Sequence, residues 1–160
     1  MADEITRDVI KVLTAGRALE LAMAGLYGEL AALHSHSPTM VRLWKKTARE
    51  EMNHAAQFTL ALEAMSEVIS TTVGNPSALD RLRQAIENTV EEFRVHRPSL
   101  REALVAAINF EALMSDLHAD QILVFTDPRC RRLFEAMMAA DAGHVAALRA
   151  ALAELGSIKS

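Results

Sequence analysis

Cysteine is almost missing from this chain. Cys130 stands alone, which excludes an intrachain disulfide and any zinc or iron–sulfur site built from the cysteines of one chain. Aromatic residues make up 4% of the sequence, and only 6 Gly and 4 Pro punctuate 160 residues, so a turn-rich sandwich or barrel has little to be built from. No apolar run approaches the roughly 18 residues needed to cross a bilayer. Neither sign of charge dominates: a net charge of −4 gives no electrostatic case for a nucleic-acid partner. The opening Met1-Ala2-Asp3-Glu4 is acidic, unlike the basic start of a signal peptide. The expectation is a soluble cytoplasmic protein with neither nucleic acid nor membrane as partner.

What is abundant favours helix. Apolar residues reach 51%, led by Ala, Leu and Met, with Glu prominent among the charged ones. A chain of 160 residues is most simply one domain, residues 1–160, able to bury its own core. Apolar periodicity predicts helices over Ile5–Leu33 and Thr39–Ile69. The stretch Ser70–Pro76 then reads as a turn, and Ser77 as the cap of a shorter helix, Ala78–Val95. Beyond Pro98 and Ser99 a long helix is expected over Leu100–Phe125. After the turn Thr126-Asp127-Pro128, with its helix-starting proline, the last helix spans Arg129–Leu155. Two helical hairpins joined by a crossover containing a short extra helix describe an all-α four-helix bundle of the ferritin-like kind.

Within this plan two sets of residues repeat. Glu20 is followed 31 residues later by Glu51-Met52-Asn53-His54, and Glu111 is followed 30 residues later by Asp141-Ala142-Gly143-His144. A carboxylate three residues before a histidine shares its helix face. Up one helix and down the next, roughly 13 residues each way at about 1.5 Å per residue, brings each pair to one level about 20 Å from the turn. The halves suggest a pseudo-two-fold arrangement with four carboxylates and two imidazoles enclosing two metal ions. Glu20, Glu111 and Asp141 lie in segments apolar on nearly every side, where a bare carboxylate costs several kcal/mol or takes up a proton. Bound divalent metal supplies the missing positive charge. Glu51 follows the polar run Lys45, Lys46, Arg49 and Glu50, which a solvated face would also explain; its spacing to His54 selects it over Glu50.

Other residues carry weaker signals. Tyr27, seven residues after Glu20, could donate a hydrogen bond to a ligand, or be a core tyrosine. His118, seven after Glu111, reads as a half-buried polar residue that could support a ligand. His34, His36 and His96 sit near turns and read as solvated.

These residues resemble the ferritin-like di-iron carboxylate superfamily, and its rubrerythrin and bacterioferritin branches in particular, over about Ile5 to Leu155. The marks are Glu20 with Tyr27, Glu51-x-x-His54, Glu111 and Asp141-x-x-His144. The resemblance implies two iron ions per chain. Glu20 and Glu111 would be terminal or bridging ligands, Glu51 and Asp141 would bridge or chelate, and His54 and His144 would each cap one metal. It implies oxidation of Fe(II) with dioxygen or hydrogen peroxide, as a ferroxidase or a rubrerythrin-like peroxidase. Three departures are visible. Asp141 stands where the family has Glu, Met114 stands where rubrerythrins have a further Glu, and the two Cys-x-x-Cys motifs of a rubredoxin domain are absent, so a peroxidase would need an external electron donor. Glu51-Met52-x-His54 is also similar to the bacterioferritin helix whose Met binds haem between subunits, although core or dimer packing is the commoner explanation of such a Met and is preferred over haem here. Two other readings compete: a di-manganese catalase-like enzyme, since mixed carboxylate and imidazole ligation suits manganese as well as iron, and a non-catalytic helical bundle that stores or senses metal. The wide apolar arcs of the helices favour a homodimer.

Overall fold

The computed structural model describes residues 2–119, 122–125 and 128–157. Five helices dominate: α1 (Ala2–Leu33), α2 (Pro38–Val68), α3 (Pro76–Val95), α4 (Leu100–Ala119) and α5 (Pro128–Ser157). The scarce prolines are placed where they are harmless. Pro38, Pro76 and Pro128 each open a helix, where the fixed φ is already helical and the missing N–H would have no partner. Asn75, not Ser77, caps α3, its side chain accepting the backbone N–H of Ala78 at 3.0 Å. Ser99 and Glu102 form a reciprocal capping box at the start of α4. The Ser99 hydroxyl accepts the Glu102 N–H at 3.2 Å, and Glu102 Oε2 accepts the Ser99 N–H at 2.8 Å.

Two boundaries differ from the sequence expectation. The helix predicted over Leu100–Phe125 stops at Ala119, and the stretch predicted as a turn after α2 contains a strand. β1 (Ile69–Val73) pairs antiparallel with β2 (Ile122–Phe125), Val73 opposite Ile122 and Thr72 opposite Leu123, with an irregularity between Ile69 and Thr71. Both segments are rich in β-branched residues, which favour a pleated ribbon. The predicted turn at Thr126 and Asp127 lies outside the described residues. The crossover helix is also not short: α3 has 20 residues, as many as α4.

α1 packs along α2, and α4 along α5, giving the two hairpins; α2 also meets α5. The crossover helix α3 lies chiefly against α1 and inserts Leu79, Leu82 and Ile86 into the core. Buried apolar residues fall into two clusters. The larger includes Leu26, Leu30, Trp44, Leu104 and Leu148. The smaller joins Val9, Leu13, Phe58, Ala61, Phe134 and Met137. Along α1, α2 and α5 a level of acidic residues separates the two, so the apolar clusters close both ends of a polar chamber. Gly16 permits one close contact: a Cβ there would come within 2.6 Å of the Phe58 ring.

Among the described residues no helix is long and apolar enough to cross a membrane.

Candidate metal centre

Four helices send side chains to that chamber. α1 supplies Glu20 and Tyr27, α2 Glu51 and His54, α4 Glu111 and His118, and α5 Asp141 and His144. The four carboxylates are all 0% exposed and the three imidazoles no more than 5%. All six residues expected as ligands from the sequence are thus brought together. Glu51, for which a solvated face was an open reading, is as deeply buried as Glu20. Lys45, Lys46 and Arg49 lie on the outer side of the same helix, while Trp44, Thr47, Glu51, His54 and Phe58 form its buried stripe.

Two triads could each hold a metal ion: Glu20, Glu51 and His54, and Glu51, Glu111 and His144, with ligand atoms within 4.8 Å of one another in each. Glu51 belongs to both. Its Oε2 accepts from His54 Nδ1 at 3.2 Å, and its Oε1 lies 2.8 Å from His144 Nδ1. The second pair is close without being aligned as a hydrogen bond, and both atoms are left without a partner. Both oxygens of Glu20, Oε2 of Glu111 and Oδ1 of Asp141 are also buried and partnerless. Buried polar atoms are nearly always hydrogen-bonded, so this many orphans converging on one place is the pattern of a ligand set. The residues present therefore fit bound divalent metal, and the donor set of carboxylates and imidazoles is chemically right for it.

The halves are not equivalent. Asp141, the counterpart of Glu51 by spacing, enters neither triad. Its shorter side chain is held by His118, whose Nδ1 donates to Asp141 Oδ2 at 3.0 Å, leaving Oδ1 3.8 Å from His54 Nδ1. His118, expected to be half-buried, is 3% exposed and lies within the chamber. The sequence held the signal: Leu104, Ala107, Glu111, Met114 and His118 follow one helical stripe. Tyr27 donates its hydroxyl proton to Glu111 Oε1 and stacks on Trp44, ring centroids 5.7 Å apart. On the outer side, His144 Nε2 donates to Glu50 Oε2 at 3.1 Å; Glu50 is partly exposed and also pairs with Lys46 at 2.9 Å.

Charge in the chamber is poorly balanced. Burial pushes the Glu20 carboxyl well above the usual range, against the lowering effect of His54, and also raises Glu111. Burial would raise Glu51 too, but the nearby His144 and His54 imidazoles prevail and hold it well below the usual range. Burial would lower the imidazoles, yet Glu20 and Glu51 push His54 up to about 10, and Glu111 and Glu51 push His144 up to about 11. Burial and the nearby Glu111 raise the Tyr27 phenol far above its ordinary value. Without metal, protons on the imidazoles do the work of the missing cations.

The remaining histidines divide. His36 and His96 are exposed as expected. His34 is not solvated; it is 2% exposed, its ring nitrogens 3.1 and 3.0 Å from the carbonyls of Leu30 and Pro98, and so ties the α1–α2 turn to the start of α4. Met52 is 58% exposed, which removes core packing as its explanation.

No family model, curated protein or solved structure matches the chain.

Proposed function

We propose that this chain is a ferritin-like di-iron protein that oxidises Fe(II) with dioxygen or hydrogen peroxide, in the manner of a ferroxidase or a rubrerythrin-like peroxidase. The observation that carries the reading is Glu51, buried and shared by two carboxylate–imidazole triads in which both Glu20 oxygens, Glu51 Oε1 and Glu111 Oε2 lack partners.

In this reading Glu20 and His54 would hold one iron and Glu111 and His144 the other, with Glu51 common to both groups. Asp141 turns its free Oδ1 toward the first. Two ferrous ions held side by side supply the two electrons that reduction of a peroxide requires. The chain's own residues set the conditions. The apolar clusters above and below exclude water, so charge–charge interactions act in a low dielectric. Tyr27 fixes Glu111 and keeps a proton at Glu111 Oε1. Glu50 takes the outer N–H of His144, which leaves Nδ1 to face Glu51 and Glu111.

Self-association belongs to the same reading. Met52 and Leu60, eight residues apart on α2, and Leu21 on α1 are large apolar side chains left exposed, and a homodimer would cover them.

Anaerobic titration of the metal-stripped chain with Fe(II), followed by addition of dioxygen or peroxide, tests the proposal. Two tight sites per chain, and Fe(II) oxidation faster than for the free ion in the same buffer, are expected. Tight binding without faster oxidation would instead identify a metal store or sensor.

A further inference from the structure

Resting on the di-metal reading above, we infer that His118 is a further metal ligand, its Nε2 and Glu20 Oε1 holding an ion between them. The imidazole is 3% exposed. Its Nδ1 donates to Asp141 Oδ2 at 3.0 Å, which fixes the proton on that nitrogen and leaves Nε2 with a bare lone pair. That lone pair faces Glu20 Oε1 at 3.4 Å, and neither atom has a hydrogen-bond partner. A cation between these two buried, partnerless atoms would satisfy both at once. The spacing suits one, since donors at 3.4 Å can both reach a common ion at about 2.1 Å with an angle of about 108°.

Glu20 then lies between two imidazoles, Oε2 being 3.5 Å from His54 Nδ1 and Oε1 3.4 Å from His118 Nε2. Asp141 plays the part carboxylates usually play behind a ligating histidine, holding the ring in its tautomer. The two metal positions become chemically unlike. The Glu20 side of the centre has two imidazoles and lies against Phe58, whose ring centroid is 6.2 Å from that of His118. The Glu111 side has one imidazole and reaches the surface through Glu50.

Co(II) binding to the metal-stripped full-length chain, read by proton NMR, is the test. Each Co(II)-bound imidazole with a proton on its other nitrogen gives a hyperfine-shifted signal that disappears in deuterated water. Three such signals are expected in the parent, from His54, His118 and His144, and two in His118→Gln. The first Co(II) should also bind roughly tenfold or more weakly to that variant. Two signals in the parent, or three that survive the substitution, would overturn the assignment while leaving the metal pair intact. No Co(II) binding at all would overturn both readings. Should His118→Gln fail to fold, the parent count decides alone.

Discussion

Tyr27 on α1 donates its hydroxyl proton to Glu111 on α4, 84 residues away in sequence, and the bond lies wholly inside the bundle. It occupies only one of the two Glu111 oxygens, since Oε2 has no partner. Tyr27→Phe should therefore leave the metal stoichiometry at two per chain while destabilising the metal-free protein by about 1–3 kcal/mol, the usual cost of stranding a buried acceptor. Urea unfolding of the stripped protein measures this. An unchanged midpoint would mean that the bond contributes nothing to the fold.

The shared position of Glu51 separates it from the other carboxylates. Glu51→Gln removes an anion common to both triads and should weaken both metal sites. Glu111→Gln should weaken only the second. Fe(II) isotherms of the two variants compare them directly, and equal behaviour would show that Glu51 does not bridge.

Metal loading should release protons. His54 and His144 are held up to about 10 and 11, so both carry a proton at pH 7 in the stripped protein and must lose it to bind metal. Affinity should rise with pH, with at least two protons released per metal pair, the histidine protons joined by any that the raised Glu20 and Glu111 carboxyls hold. Calorimetry in buffers of different ionisation enthalpy counts them.

The same shifts set the stability of the stripped protein. A histidine raised above its unfolded value of 6.5 contributes fully below that pH and progressively less as pH rises through 10 to 11. Raised Glu20 and Glu111 act in the same direction, disfavouring the fold above the ordinary carboxylate range. Lowered Glu51 acts oppositely, its contribution present above 4.5 and lost as pH falls. The Tm of the stripped protein should therefore decline between pH 7 and 10, and metal should flatten the decline.

Gly16 and Phe58 give a prediction with a change of sign. Gly16→Ala drives a methyl into the buried Phe58 ring and should cost about 1–3 kcal/mol. In a Phe58→Ala background the clash is gone, and the same substitution should stabilise by up to about 1 kcal/mol through helix propensity. Thermal unfolding of the four proteins closes the cycle, and additive effects would contradict the contact.

Much of this was legible in the sequence, and the exceptions have physical reasons. The long helices and the matched carboxylate–histidine spacings follow from periodicity, which burial enforces. Glu51 looked ambiguous because neighbours in sequence point to different sides of a helix; Lys46 and Arg49 say nothing about the face that Glu51 occupies. Ile122-Leu-Val-Phe125 reads equally well as the end of a helix, since a short apolar run has no distinguishing period until its partner Ile69–Val73 is known. His34 looked like a solvated turn residue because its acceptor at Pro98 lies 64 positions away. His118 was misplaced for a similar reason: its partners Glu20 and Asp141 are on other helices.

The first triad draws all its residues from the opening hairpin, Glu20, Glu51 and His54 lying before α2 ends at Val68. The second needs Glu111 and His144, and so waits for nearly the whole chain. As the polypeptide emerges from the ribosome, one half of the centre can be gathered while the other is still unsynthesised. An ion captured early would hold the first two helices in register, presenting a ready-made surface on which the last two can close.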